Sequence, residues 1–224
     1  MDVNSIAIKS GLFMPAATGE VKAISKMAAG QVVYGSLTDA EVMLRAGSDD
    51  IAAFEYLALK YHRPMIAFMY RMCHNQALAE ELAQEVFLRV YRSRQSYAAE
   101  AKFTTWLYRI ATNLAVNHAR DHKVERSGKV VSLDEPDQET GTTPDVADAS
   151  LNAEQQILRR ERLEAIKKHV LALPEKQRAA VLMHKYDGMD YREIAAVLKL
   201  SESATKSLLF RAYEALRERL KDFV

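Results

Sequence analysis

The chain has 224 residues, of which 49% are hydrophobic and 27% are charged, and its formal net charge is +1. This length suits one or two packed domains, the few glycines and prolines favour helices, and a single cysteine, Cys73, excludes a disulfide framework and a thiolate metal cluster. The absence of a long apolar run and of a signal-peptide pattern predicts a cytoplasmic protein that is not inserted in a membrane.

The charge is distributed unevenly along the chain. Residues 130–158 contain seven carboxylates and no lysine or arginine, whereas the flanking segments are mildly basic. Neutralisation of phosphates drives non-specific binding to DNA, so a chain with this small net charge should bind free DNA weakly. If the protein binds DNA, the charge pattern predicts that a partner assists it.

Residues 1–36 show no sustained hydrophobic period and are predicted to be a flexible extension. Residues 37–126 are predicted to form a compact domain of four or five helices. Thr38 and Glu41 have the spacing of a capping box at the start of this domain.

Further helix boundaries in this domain follow from capping residues and proline. Ser48 or Asp49 is expected to cap the second helix, and Asn75 is expected to cap a later one. Pro64 is expected in the first turn of a separate helix, because proline disrupts a helix interior.

Two amphipathic helices come next, separated by a loop at residues 95–102 that contains Tyr97. The first has apolar residues at the four-residue period of a buried face: Leu78, Leu82, Val86 and Val90. The second has polar and aromatic residues that packing does not need, spaced three, four and four apart on one side: Trp106, Arg109, Asn113 and Asn117.

An aromatic ring, a guanidinium group and two carboxamides on one helix face are suited to holding single-stranded nucleic acid. The ring stacks on a base, the amides bond base edges, and the following cations meet phosphates. The alternative is that Trp106 is a core residue and that the asparagines are solvated, and spacing alone leaves this alternative open.

Other candidate chemistry is weaker. Cys73 and His74 have no second cluster to complete a metal site. Glu80, Glu81 and Glu85 have no nearby nucleophile or phosphate loop, so we interpret them as a solvated or partner-facing acidic surface. No catalytic residue, metal or cofactor is predicted.

Residues 127–151 are predicted to be an acidic linker that is disordered unless bound. Its charge would repel a nucleic-acid backbone, and it could occupy a basic channel by imitating one. Helical signals resume at Asn152, which has capping-box spacing with Gln155. Residues predicted to face inward in the next two helices are Ile157, Ile166, Val170, Leu182 and Tyr186.

The C-terminal stretch has the pattern of a helix-turn-helix. A short helix ends at Leu198, residues 199–201 form the turn, and Ser201 caps a long helix. The predicted inner face of the long helix comprises Ala204, Leu208, Ala212 and Leu216. Its predicted exposed residues, which can contact bases and phosphates, are Glu202, Ser203, Lys206, Ser207, Phe210 and Arg211. A helical hairpin without DNA-binding function is the alternative, and the excess positive charge of this segment argues against it.

Both ends of the chain now point to one family. Three segments, AEELAQEVFLRVYRS, KFTTWLYRIATNLAVNHAR and LPEKQRAAVLMHKYDGMDYREIAAVLKLS, resemble the extracytoplasmic-function (ECF) group of bacterial RNA polymerase sigma factors, of the sigma-70 family. The resemblance implies an all-α fold with two small domains, sigma region 2 at 37–126 and sigma region 4 at 152–224, joined by the flexible acidic linker. It implies a non-enzymatic protein that binds core RNA polymerase, directs it to the −35 and −10 promoter elements and assists melting of the DNA.

The resemblance also assigns roles to residues. Those expected to bind core polymerase are Gln84, Glu85, Phe87, Leu88 and Arg92. Those expected to bind the −10 element are Tyr97, Lys102, Trp106, Arg109, Ile110, Asn113, Asn117 and Arg120. Those expected to bind the −35 element are Arg178, Tyr191, Arg192, Glu202, Ser203, Lys206, Ser207, Phe210 and Arg211.

The implied partners are promoter DNA, the largest-subunit coiled coil and the flap of core RNA polymerase, and an anti-sigma factor. Three departures from the family pattern leave the identity of the domain intact, but they do not allow a particular −35 sequence to be carried over from the family. Lys199 stands where glycine is usual, Thr205 stands where valine is usual, and Arg192 occupies a position that is often glutamate. The alternative function is a helix-turn-helix regulator whose N-terminal domain binds a ligand or a protein. An enzyme ranks far behind, because the sequence has no catalytic constellation.

Overall fold

The computed structural model describes residues 34–127 and 153–223. Within these ranges the chain contains eight α-helices, two short 3-10 helices and no strand, which confirms the predicted all-α fold. The helices are α1 (Asp39–Gly47), α2 (Ile51–Cys73), α3 (Gln76–Arg92), α4 (Phe103–Ser127), α5 (Ala153–Leu171), α6 (Glu175–Lys185), α7 (Tyr191–Leu198) and α8 (Glu202–Leu220). No helix in these ranges combines the length and apolarity needed to cross a bilayer.

The predicted N-terminal extension and the predicted acidic linker fall almost entirely outside the described residues, and so does the predicted cap Asn152. The chain divides into two compact units. The first comprises the described residues up to Arg63 together with Phe87–Thr104, and the second comprises Pro64–Val86 and the chain from Thr105 onward. The predicted domain boundaries therefore stay a prediction.

In the first unit, polar contacts fix the start of α1. The predicted capping box is confirmed: the Thr38 hydroxyl accepts from the Glu41 amide at 3.3 Å, and the Glu41 carboxylate accepts from the Thr38 amide at 2.7 Å. The Thr38 amide and the Thr38 hydroxyl both donate to the Glu41 carboxylate, and these two hydrogen bonds hold the pKa of Glu41 below its usual value. Asp39 in the first turn accepts from Lys60 Nζ and the Tyr61 hydroxyl, each at 2.5 Å, and so joins α1 to α2.

The predicted start of α2 was wrong by one residue, and the predicted break at Pro64 was also wrong. Asp50 begins the helix, with its carboxylate accepting from the Ala53 amide at 3.2 Å. Asp49 has a positive φ of 66°, which is incompatible with the extended backbone of an N-cap residue. Pro64 lies inside the helix on an exposed position, and the buried apolar residues continue past it: Met65, Phe68, Met69 and Met72. Burial of this stripe outweighs the local cost of proline.

In the second unit, α5 does not bury the predicted apolar face. Ile157 is 59% exposed and Ile166 is 38% exposed, and Ala165 is the buried residue among the described side chains of this helix. Charged residues of α5 are spread around the whole helix, so no continuous apolar stripe forms. α8 packs against this helix. Tyr186, also predicted inward, is 55% exposed, whereas Leu182 is buried as predicted.

The helix-turn-helix is confirmed, with a one-residue shift in the inner face of α8. Ser201 caps α8 and accepts from the Ala204 amide at 3.1 Å. Ala204 is exposed and Leu208 is half-buried, contrary to the prediction. The buried residues are Thr205, Leu209, Ala212 and Leu216. Their spacing of four, three and four follows the 3.6-residue period, whereas a strict four-residue spacing drifts around the helix.

The turn before α8 contains a strained residue. Lys199 has φ 54° and ψ 48°, the left-handed conformation in which a side chain other than glycine is penalised. Its side chain is exposed, so packing does not compensate for this strain.

We expect Lys199→Gly to raise the free energy of unfolding by about 0.5–1 kcal/mol, because relief of the left-handed strain exceeds the added entropy of the unfolded chain. Urea denaturation followed by circular dichroism measures the change. Lys199→Ala keeps the Cβ atom and should give no gain. Equal stability of wild type, Lys199→Gly and Lys199→Ala would contradict the inference that Lys199 is strained.

Candidate nucleic-acid interface

The first turns of α8 present polar side chains to solvent. All six residues predicted from the sequence are exposed: Glu202, Ser203, Lys206, Ser207, Phe210 and Arg211. Lys206 pairs with Glu202 at 2.7 Å, and this hydrogen bond raises the pKa of the Lys206 ammonium. Arg211 donates from Nε to the Ser207 carbonyl at 3.3 Å. A helix N-terminus with exposed cations and hydroxyls suits insertion into a major groove.

An aromatic cluster joins this helix to the start of α7. The Tyr191 ring stacks on His184, with centroids 5.3 Å apart and planes 22° apart. His184 Nδ1 lies 2.8 Å from the Tyr213 hydroxyl, so α6 and α8 meet at this histidine. The Lys206 ammonium lies 5.7 Å from the centroid of the Tyr191 ring. Tyr191 is thereby held beside the exposed face of α8.

His184 and Tyr213 were missed by the sequence analysis. A lone histidine and a tyrosine 29 residues apart carry no local signal. Their proximity depends on how α6, α7 and α8 pack, and only tertiary structure supplies that information.

Arg178 does not share the exposure of the other predicted −35 residues. Arg178 is half-buried, and its guanidinium group donates to three carbonyls: Leu171, Leu173 at 3.2 Å and Met72 at 2.5 Å. Burial lowers the pKa of this arginine. The bond to Leu171 satisfies a carbonyl at the C-terminal end of α5, where the helix leaves acceptors without intrahelical partners, and Leu173 lies two residues beyond this end. Arg192 of the same predicted set is exposed.

In the second unit, α4 presents the face that the spacing predicted. Asn113, Asn117 and Arg120 are exposed, whereas Trp106, Arg109 and Ile110 are half-buried. The half-buried Trp106 ring can pack on one side and stay accessible on the other. Arg109 donates to the Ala196 carbonyl of α7 at 2.8 Å.

Two other residues predicted for −10 binding belong to the first unit. Tyr97 is buried, its hydroxyl donates to the Ala101 carbonyl at 3.4 Å, and its ring lies 6.3 Å from that of Phe103. Lys102 is exposed. Tyr97 is therefore a packed residue in this conformation.

The residues predicted to bind polymerase all lie on α3. Gln84 and Arg92 are exposed, and Glu85 and Leu88 are half-buried. Phe87 is only 5% exposed, so its ring belongs to the core. The accessible part of this predicted surface is consequently polar except for the half-buried Leu88.

Comparison with known protein families gives two matches. The Sigma-70 region 2 model matches residues 57–125, and the Sigma-70 region 4 model matches residues 163–216. Among curated relatives, the ECF RNA polymerase sigma factor SigW of Bacillus subtilis is 32% identical over 181 residues, covering 80% of this chain and 94% of the relative. The RNA polymerase sigma-H factor of Pseudomonas aeruginosa is 31% identical over 186 residues, covering 82% of this chain and 94% of the relative.

The chain belongs to the ECF sigma factors. It is a promoter-directing factor of transcription initiation, and its region 4 is a DNA-binding domain.

Solved structures support the fold of this sigma factor. The sigma factor RpoE of Bartonella quintana, in complex with the anti-sigma factor NepR, has a TM-score of 0.58 at 22% identity and covers 75% of this chain and 96% of its own. CnrH, in complex with the cytosolic domain of CnrY, has a TM-score of 0.59 at 19% identity and covers 82% and 97%.

We expect His184→Ala to weaken binding of the sigma factor to duplex −35 DNA by about two- to tenfold, the range for losing one aromatic pair. The reason is that Tyr191 loses the ring that holds it beside α8. Fluorescence anisotropy measures the affinity, and Lys185→Ala on the same helix is the matched control. Unchanged affinity with His184→Ala would show that Tyr191 needs no such support.

Proposed function

We propose that the sigma factor contacts −35 DNA through the N-terminal turns of α8 and the start of α7. The exposed face of α8, with Lys206 and Arg211 beside Phe210, is the observation that carries this proposal. Arginine and lysine bind phosphates and guanine, and an apolar ring contacts thymine methyl groups. Arg192 and the stacked Tyr191 extend the same surface.

For the −10 element, we propose that α4 traps an unstacked base, with Trp106 as the stacking platform and Asn113 and Asn117 as donors and acceptors. Stacking contributes roughly 1–3 kcal/mol per base, and extrusion of a base costs a few kcal/mol. One ring therefore offsets only part of the melting cost. Polymerase supplies the remainder, which agrees with a sigma factor whose net charge is only +1.

For polymerase, we propose that the polar side of α3 docks on the coiled coil of the largest subunit, with region 4 meeting the flap. Gln84, Glu85 and Arg92 supply the accessible groups on α3. Helix-to-helix docking through such an edge is a common recognition mode. The protein acts without catalytic chemistry and works in the cytoplasm, where its polymerase is.

We also propose control by an anti-sigma factor. Two solved structures of the same fold are of complexes: the sigma factor RpoE with the anti-sigma factor NepR, and CnrH with the cytosolic domain of CnrY. A partner protein that binds both sigma domains could cover the two proposed DNA-binding surfaces.

Glu85→Lys should abolish co-migration with core RNA polymerase on size exclusion, because it reverses a charge in the centre of the docking edge. Glu80→Lys is the matched control: it lies five residues earlier, about 140° around the same helix, and should bind normally. Loss of binding by both variants would indicate a general charge effect. Wild type that fails to bind polymerase yet binds DNA tightly alone would overturn the proposed function.

Trp106→Ala should impair promoter opening at least tenfold and leave polymerase binding unchanged, because a stacking ring is used only after the strands separate. Permanganate reactivity of unpaired thymines measures opening. Tyr56→Ala removes another half-buried ring, which pairs with Tyr34 at 5.6 Å, and controls for lost packing. Equal loss of opening and polymerase binding in Trp106→Ala would mean that the ring is only a core residue.

A further inference from the structure

Within the first unit, the end of α1 contacts the backbone that begins the loop at residues 95–102. The short 3-10 helix Arg94–Ser96 leads into this loop. A Cβ atom at Gly47, the last residue of α1, would lie only 2.9 Å from the Arg94 carbonyl oxygen. The same carbonyl accepts from the Tyr97 amide at 3.3 Å. The missing side chain at Gly47 therefore allows α1 to approach the turn that carries Tyr97.

The Arg94 side chain holds this turn to the segment that follows α1. Its Nη2 atom donates to the Asp49 carboxylate at 2.7 Å, and its Nη1 atom donates to the Tyr91 carbonyl at 3.0 Å. The guanidinium group also lies over the Tyr91 ring, 4.1 Å from its centroid. The Arg94 side chain is only 19% exposed, so these contacts account for much of its surroundings. Asp49 meets Arg94 from a backbone with φ 66°, a conformation that aspartate tolerates better than most residues.

An aromatic cluster holds the loop at a second point. The buried Tyr97 ring lies 6.3 Å from the Phe103 ring, which in turn lies 5.4 Å from the Tyr61 ring. The Tyr61 hydroxyl donates to the Asp39 carboxylate in the first turn of α1 at 2.5 Å. Burial raises the pKa of Tyr97, and the negative charge of Asp39 raises it further. The first turn of α1 thus joins the cluster that buries Tyr97, as its last turn joins Arg94.

The rest of the loop is exposed. Apart from Tyr97, every residue from 95 to 102 is exposed. A loop that is held at its start and near its middle loses less conformational entropy when its exposed residues bind a ligand. Phe103 is the first residue of α4 and lies one helical turn before Trp106. The contacts that hold the loop therefore also hold the start of the helix that carries Trp106.

We infer that α1 and the turn after it position the loop at residues 95–102 for the melted −10 strand. Gly47, Asp49 and Arg94 are positioning residues, because they act on the strand through the loop. The inference rests on the proposed function, in which Trp106 on α4 traps a −10 base. The order of the loop is a property of the protein alone and is measured without polymerase.

The test replaces Asp49 in the full chain. Asp49→Gly removes the carboxylate that holds Arg94 and accepts the left-handed backbone without penalty, so unfolding in urea should change little. Asp49→Asn keeps an oxygen that accepts from Arg94 and should behave as wild type. Ser48→Gly is the matched control, because it loosens the same turn and removes a hydroxyl that bonds the Leu44 carbonyl at 3.3 Å.

A spin label at Ala99→Cys, in a Cys73→Ser background, reports the order of the exposed part of the loop by continuous-wave electron resonance. We expect a restricted label in wild type, in Asp49→Asn and in Ser48→Gly. The label should be more mobile in Asp49→Gly, because Arg94 then loses its contact with the segment after α1.

Permanganate reactivity of unpaired thymines, with core polymerase present, measures promoter opening by the same proteins. Opening should fall about two- to fivefold in Asp49→Gly, the range for loss of one exposed ion pair. Co-migration with core polymerase should stay unchanged. Gly47→Ala should reduce opening about fivefold or more, because the added methyl group displaces the Arg94 carbonyl, and overpacking of this kind is costly.

A label that is equally restricted in wild type and in Asp49→Gly would overturn the role of Asp49 in holding the loop. A mobile label with normal opening would overturn the role of the loop order in −10 recognition. Equal losses of opening in Asp49→Gly and Ser48→Gly would overturn positioning by the carboxylate, because any loosening of the turn would then suffice. Failure of the proposed function is seen separately, as wild type that does not bind core polymerase.

Discussion

One face of α8 must be buried against other helices and the opposite face must stay exposed, and the C-terminal half of the protein depends on both. Leu209, Ala212 and Leu216 are buried where α8 packs on α5, α6 and α7. Lys206 and Phe210 on the opposite side are exposed. A rotation of the helix by one residue, about 100°, would expose leucine and bury a cation. The cap at Ser201 and the left-handed turn at Lys199 fix the residue at which α8 begins, and they act together with the packing to set this rotation.

Local signals in the sequence predicted much of the fold. The capping box at Thr38, the caps at Asn75 and Ser201, and the unusual turn residue Lys199 are all encoded within a few residues, and the structure has each of them. Predictions that required tertiary information were less accurate. Pro64 was expected to break a helix, because a local rule cannot include the apolar stripe that is buried on both sides of it.

The candidate site likewise contains residues that the sequence placed correctly and residues whose position depends on tertiary packing. Helical spacing was enough to place Trp106, Asn113 and Asn117 on one side of α4 and to identify the exposed residues of α8. Spacing could not show that Phe87 and Tyr97 are buried, because both follow from packing against other segments. Nor could it pair His184 with Tyr213, or Arg109 with Ala196, which are brought together only by the fold.

The ion pair between Glu202 and Lys206 has a consequence for the ionic-strength dependence of promoter binding. An ammonium group that already has a carboxylate at 2.7 Å must exchange it for a phosphate, and the carboxylate then needs a counterion of its own. Binding at this position therefore releases fewer ions in total than an unpaired lysine would. The affinity of region 4 for DNA should fall less steeply with salt than its number of exposed cations suggests, so −35 recognition would tolerate changes in ionic strength.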